Sequence, residues 1–184
     1  MWKKEQPGMD LNKLVFIDES GAKTNMTRLY GRAKNGKRVV DSTPGGQWNT
    51  TTMISAISLK GYQAPMVIKG ATNKEVFKVY IEKFLLPTLK KGDCVILDNL
   101  SAHKGSEIRE LVESMGAELW FLPPYSQDLN PIEKMWSKVK AILRKLKART
   151  EKELIASIAK ALEAVTPSDC HGLFKSCGYA YTKN

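Results

Sequence analysis

Three acidic residues stand where they could do chemistry together. Asp18 follows the apolar run Leu14-Val-Phe-Ile17, and Asp98 follows Cys94-Val-Ile-Leu97. Glu133 falls in the first turn of a long amphipathic stretch, behind the loop Pro123-Pro-Tyr-Ser-Gln-Asp-Leu-Asn-Pro131, which would bring it back over a sheet. Carboxylates converging on one place repel one another and are stable only with cations between them or with raised pKa values. Hard divalent ions such as Mg²⁺ take oxygen ligands and suit this set. Two such ions roughly 3.5–4 Å apart serve in-line attack at phosphorus: one activates the attacking oxygen, the other neutralises charge on the leaving oxygen. Each residue also has a plainer reading. An Asp at a strand end is often a turn former or helix cap. Asn130-Pro131-Ile132-Glu133 has the pattern of a helix start, in which Glu133 accepts the backbone N–H of Asn130 and does nothing else.

The elements that must carry these residues are legible from periodicity. Residues 13–18 and 93–98 read as short strands buried on both faces and ending in acid, with further strands at 51–59, 65–68 and 118–122. Residues 20–49 hold many Gly, Thr and Asn with a basic group, Lys23, Arg28, Arg32, Lys34, Lys37 and Arg38, and read as exposed hairpins with a turn at Asn35-Gly36. Asn73 caps a helix whose apolar positions are Val76, Phe77, Tyr80, Ile81, Phe84 and Leu85. A second helix covers 104–115. The third, 131–147, places Ile132, Met135, Trp136, Val139, Ile142, Leu143 and Leu146 on one stripe. A last helix at 150–165 opens with Thr150-Glu-Lys-Glu153, a capping-box pattern. Strands first, then strand and helix alternating, then helices: this is an α/β layer fold whose first strands pair antiparallel and whose later ones join in parallel. Ligands of such sheets bind off the carboxyl ends of central strands, where Asp18 and Asp98 lie.

Composition bounds the rest. The 184 residues are 42 % hydrophobic and 26 % charged, which excludes a wholly disordered, collagen-like or coiled-coil chain and fits one domain. Three cysteines, at 94, 170 and 177, are too few for a disulfide scaffold and point to reduced thiols inside a cell. Cys170-His171 with Cys177 lacks the paired spacing of a zinc site. No signal peptide is visible, and the apolar runs are far short of the ~20 residues that span a membrane. The 29 Lys and Arg outnumber the 19 Asp and Glu, giving a formal net charge of +10. That balance calls for a polyanionic partner, nucleic acid first and an anionic membrane surface second.

The acidic residues sit in segments that resemble a known family. Asp98-Asn-Leu-Ser-Ala-His-Lys104 and Phe121-Leu-Pro-Pro-Tyr-Ser-Gln-Asp-Leu-Asn-Pro-Ile-Glu133 are similar to signature segments of DDE-type transposases of the mariner superfamily, in its bacterial insertion-sequence branch. Phe16-Ile-Asp-Glu-Ser20 resembles the first acidic strand of that family, and Cys177-Gly-Tyr179 one of its weaker segments. The likeness runs from about residue 13 to 180. Gln127 departs from it, standing where the family usually has Pro.

The resemblance implies a ribonuclease-H-like fold, with a mixed five-stranded sheet flanked by helices on both faces. It implies DNA cleavage and strand transfer in transposition, with Asp18, Asp98 and Glu133 as catalytic and metal-binding triad. Two Mg²⁺ ions per active site, replaceable by Mn²⁺, are the implied cofactors. Residues 1–12 are expected to be a polar lead-in and 13–184 the catalytic domain. The helix-turn-helix module that grips transposon ends would then be in a missing segment or a separate chain. A homodimer on DNA in the bacterial cytoplasm, at the nucleoid, is the implied setting. DNA contacts are expected from Asn99 and His103 beside the second acid, from Lys140 and Arg144 on the face of the long helix that carries Glu133, and from Arg28 and Arg32. Two rival readings share the fold: a nuclease without strand transfer, and a catalytically dead DNA-binding relic.

Overall fold

The structure is a computed structural model that describes residues 2, 6–45, 48, 50–98 and 105–179. Its centre is a five-stranded sheet in the order β3-β2-β1-β4-β5. The strands are β1 Leu14–Ala22, β2 Thr51–Ser58, β3 Gly61–Lys69, β4 Cys94–Leu97 and β5 Glu118–Phe121. β1, β2 and β3 pair antiparallel, while β1, β4 and β5 pair parallel. The helices are α1 Lys74–Tyr80, α2 Ser106–Ser114, α3 Pro131–Leu146, α4 Glu151–Glu163 and α5 Pro167–Ser176.

β1 and β4 are apolar at successive positions because both faces of the sheet are covered. Leu14, Phe16, Cys94 and Ile96 join one core with Ile132, Met135, Trp136 and Val139 of α3, Leu154 and Ile158 of α4, and Phe174 of α5. Val15, Ile17, Val95 and Leu97 join the other with Phe77 and Tyr80 of α1 and Ile108 and Val112 of α2. Asn73 caps α1 as its sequence predicts, its side chain accepting the Val76 N–H at 2.9 Å. The chain then runs on through a π-helical turn, Ile81–Leu85, and a 3₁₀ turn, Leu86–Thr88.

Three features differ from the reading of periodicity. β1 does not stop at Asp18. Its parallel pairing with β4 ends at Phe16 opposite Ile96, but antiparallel pairing with β2 continues from Asp18 opposite Ser55 to Ala22 opposite Thr51. The backbone ladder thus extends the strand where the apolar pattern has ended. Residues 23–45 form no hairpin. They are irregular apart from a 3₁₀ turn, Lys34–Gly36, where Asn35 and Gly36 take φ of 56° and 67°. This segment is tied down by side chains from beyond α3: the Arg149 guanidinium donates to the carbonyls of Thr24 at 2.9 Å and Met26 at 3.1 Å, and Lys147 pairs with Asp41. Finally, α5 is a further helix with a full capping box between Thr166 and Asp169.

α5 is stapled to α3. Lys138 Nζ donates to Asp169 at 2.5 Å, and Lys134 Nζ donates to the carbonyl and hydroxyl of Ser176 at 2.9 and 2.7 Å. The segment ahead of β1 docks beside them: buried Trp2 donates its Nε1–H to the Tyr179 hydroxyl at 3.1 Å, and Gln6 Nε2 donates to the Cys177 carbonyl at 2.8 Å. Among the described residues no helix is long and apolar enough to cross a membrane.

Candidate active site

Parallel register brings the first two acids together. The last paired residues of β1 and β4 are Phe16 and Ile96, so Asp18, still in β1, and Asp98, one residue past the end of β4, each stand two residues beyond that pair. Asp18 shares the parity of Phe16, which faces the core built with α3, and Asp98 lines a cleft with Asn130 and Glu133 at the start of that helix. Their carboxylates therefore belong to the α3 face of the sheet.

The loop 122–130 delivers the third acid to the same end. It leaves β5, makes a short 3₁₀ turn, Gln127–Leu129, and enters α3 through Asn130-Pro131. Proline at the first helical position has its fixed φ ready for the helix and no N–H to satisfy. The loop is held from below: the Tyr179 hydroxyl, already accepting from Trp2, donates to the Leu129 carbonyl at 2.9 Å. Ile132, Met135 and Trp136 then seat the first turns of α3 in the core, leaving Glu133 half-buried at the rim.

Asp98 and Glu133 line one cleft of about 360 Å³ with Pro123, Pro124, Tyr125, Ser126, Gln127 and Asn130. Asp18 lies beneath it, 8 % exposed. Its carboxyl is pushed up to about 8, first by burial, then by the negative charge of Glu133 and, more weakly, of Asp98; the backbone N–H of Glu19 works the other way. The three acids therefore sense one another across the site. Among the described residues no three His, Cys, Asp or Glu side chains lie close enough to hold one ion. Asp98 and Glu133 share the cleft, and Asp18 is buried within reach of their charge. The donor set of the three is all oxygen, and a divalent cation would relieve the repulsion that raises Asp18, so the residues fit such an ion.

The capping role for Glu133 is not observed. The Asn130 N–H donates instead to the Gln127 carbonyl at 3.1 Å, and the Asn130 side chain makes no cap bond to α3. Glu133 contributes its backbone N–H to the Asn130 carbonyl at 3.3 Å and leaves its carboxylate for the cleft.

Of the expected DNA contacts, Lys140 and Arg144 are half-buried on α3. At 100° per residue they fall within about 20° of Glu133, roughly 10 and 16 Å further along the axis. Arg28 and Arg32 are exposed on the segment 23–45. That segment is anchored by Lys147 and Arg149, just past the end of α3 at which Arg144 lies. Asn99 and His103 lie outside the described residues. The Cys170 thiol is pushed up to about 11 and the Cys177 thiol raised, both chiefly by burial, which opposes the thiolate that zinc requires.

Two further cleft residues went unmarked by motif chemistry. Gln127, expected to be only a loop position, faces the cleft. Tyr125 stands fully exposed beside it on a backbone with φ of 58°, an uncommon conformation for a residue with a side chain.

Comparison with known proteins now adds to this geometry. The family profile described as DDE superfamily endonuclease matches residues 13–155. Solved structures share the fold. A Mos1 transposase paired-end complex with the left transposon end aligns with a TM-score of 0.71 at 14 % identity, covering 95 % of this chain and 56 % of that one. The Mos1 transposase catalytic domain bound to raltegravir with Mg aligns at 0.64 and 14 % identity, covering 98 % and 90 %. The catalytic core domain of BIV integrase aligns at 0.53 and 16 % identity, covering 92 % and 99 %. The mixed five-stranded sheet with helices on both faces is thus the ribonuclease-H-like fold expected from the signature segments. The chain spans little more than half of the Mos1 chain in the paired-end complex. A sequence comparison with curated proteins finds no match.

Proposed function

Because the chain belongs to the DDE superfamily endonucleases, we propose that it is the catalytic domain of a DNA transposase, with residues 13–184 as the working unit. Asp18, Asp98 and Glu133 form its catalytic triad. The observation that carries the reading is one cleft lined by Asp98 and Glu133 with the buried Asp18 carboxyl near enough to feel both charges. Two Mg²⁺ ions, or Mn²⁺ in their place, would be held by this triad and would supply charge neutralisation at the attacking and leaving oxygens.

The residues themselves do three things. Asp18 and Asp98, fixed by strand register, set the floor of the site. Glu133 approaches on the rigid first turn of α3, so its position follows that helix. Leu122, Pro123 and Pro124 give the cleft an apolar part of its lining. In the reaction, water attacks phosphorus and the bond to the 3′-oxygen breaks, that oxygen taking the proton that water loses. The freed 3′-hydroxyl then attacks phosphorus in target DNA, displacing a second 3′-oxygen. Mos1 structures of a paired-end complex and a strand transfer complex share the fold, which supports transposon ends and target DNA as substrates here.

DNA leaving the cleft follows Lys140 and Arg144 along α3 towards Arg28 and Arg32, with Asn99 and His103 at the second acid. A helix-turn-helix module and a second copy of the chain on paired ends complete the assembly. The test is Mg²⁺-dependent nicking of end-bearing DNA by the wild type and by Asp18→Asn, Asp98→Asn and Glu133→Gln, followed by joining of pre-cleaved ends to a plasmid. Nicking lost in all three variants, with joining by the wild type, supports the proposal. Nicking without joining makes the chain a nuclease only, and equal nicking by the variants removes the triad.

A further inference from the structure

Asn130 is the residue of the cleft whose position has no explanation in the fold. It is 3 % exposed. Its side chain does not cap α3, although it occupies the cap position. Its Oδ1 is buried without any hydrogen-bond partner. Thr72 Oγ1, Tyr80 OH and Trp136 Nε1 share that condition among the described residues, but none of them lines the cleft. A buried carbonyl oxygen without a donor is costly and rare, and one retained in a site points to a water, an ion or a catalytic use.

The surroundings select among these. Asn130 lines the same cleft as Asp98 and Glu133. A neutral oxygen acceptor set beside two carboxylates needs a donor or a positive charge, and a hydrated divalent cation supplies both. We infer that Asn130 Oδ1 is a further oxygen of the cation site, facing the ion or a water on it between Asp98 and Glu133. Asn130 is on this account a positioning residue: it orients what the carboxylates hold and gives the site a neutral donor, which adds no repulsion to a cleft already crowded with charge. The Asn130 N–H bond to the Gln127 carbonyl fixes the backbone from which the carboxamide projects. The inference rests on the reading of the cleft as a metal-dependent centre.

The test is Mn²⁺ binding by the full chain, read from the electron paramagnetic resonance of free Mn²⁺ and from thermal melts with and without the ion. The forms compared are wild type, Glu133→Gln, Asn130→Leu and Asn130→Asp. Wild type should bind and melt higher with Mn²⁺, and Glu133→Gln should lose both effects. Asn130→Leu should weaken Mn²⁺ binding about ten- to a hundredfold, as loss of an outer partner does, while its metal-free melt is no lower than wild type, since an unsatisfied acceptor has gone. Asn130→Asp should bind Mn²⁺ more tightly and melt lower without it. If a side-chain N–H₂ faced the carboxylates instead, Asn130→Asp would not tighten binding. Wild-type affinity in both Asn130 variants, with Glu133→Gln still defective, overturns the inference and leaves the active-site reading standing; if Asn130→Leu does not fold, Asn130→Asp alone decides. No Mn²⁺ effect in the wild type removes the active-site reading and Asn130 with it.

Discussion

At the scale of single residues, Glu133 separates structural from chemical roles. Since the Asn130 N–H is engaged by the Gln127 carbonyl, replacing the Glu133 carboxylate by a carboxamide breaks no cap. Glu133→Gln gives up only the favourable charge at the start of α3, about 0.3–1 kcal/mol, and it relieves Asp18. Its metal-free melt should match wild type within that margin, while Mg²⁺-dependent nicking falls at least about a hundredfold; a Gln form that nicks normally would exclude Glu133 from the triad. Asp18 gives a prediction in pH. Its folded-state pKa is raised, chiefly by burial, to about 8 from an unfolded value of 3.8, so between those values the folded state holds a proton that the unfolded chain has lost. Stability from this group is complete below pH 4 and is lost as pH rises to about 8. Melts of the metal-free protein across pH 5–8 should fall, Asp18→Asn should flatten that fall, and Mn²⁺ should reverse it at pH 8. A wild-type slope that survives in Asp18→Asn assigns the effect elsewhere.

At the scale of elements, the site depends on how α3 and its entry loop are held. The Tyr179 hydroxyl both accepts from Trp2 and donates to the Leu129 carbonyl, one residue before Asn130. Tyr179→Phe keeps the ring contacts with Phe16 and Phe174 but leaves the buried indole N–H and the Leu129 carbonyl unpaired. It should lose about 1–3 kcal/mol in denaturant melts and weaken Mn²⁺ binding by loosening the loop; unchanged stability would show that another group holds the carbonyl. Asp169 ties α5 to α3 and is held down to about 2 by its bond to Lys138 and then by the Thr166 cap. Its contribution is present above pH 4 and lost as pH falls towards 2, so Asp169→Asn should remove that acid step from the melt profile. α5 was the element least legible in sequence: it is short, carries Gly172, and buries little more than Cys170 and Phe174, so no apolar stripe announces it. α3 was the most legible, because six buried residues repeat at helical spacing. Asp18 and Asp98 were readable as strand-end acids, but their common offset from the last pair is a property of β1–β4 register, which no single stretch encodes. Asn130 stands at the cap position that its pattern announces, but its side chain makes no cap bond. The loop before it consumes the N–H that the pattern assigns to Glu133.

At the scale of the whole molecule, the distribution of charge bears on how the proposed DNA substrate would be held. A formal charge of +10 is spread unevenly. Lys134 and Lys138 are spent on stapling α5, and Lys147 and Arg149 on anchoring the segment 23–45. Lys140 and Arg144 share the α3 stripe that starts at Glu133, and Arg28 and Arg32 are exposed on the segment anchored past the end of that helix. A chain with this track and no added end-binding module should hold DNA through phosphates, with affinity falling steeply with salt and little sequence preference. Each phosphate contact contributes about −0.9 to the slope of log K against log salt on duplex DNA. Lys140→Gln with Arg144→Gln should therefore make the slope shallower by about 2 and weaken random and end-bearing DNA alike. Arg28→Gln with Arg32→Gln should do the same without touching Mn²⁺ binding, since neither residue lines the cleft. Fluorescence anisotropy of labelled duplex at several salt concentrations measures both pairs. An unchanged slope in the α3 pair, with normal folding, would show that DNA leaves the cleft by another path, and a thousandfold preference for transposon ends in the wild type would show that this domain reads sequence itself.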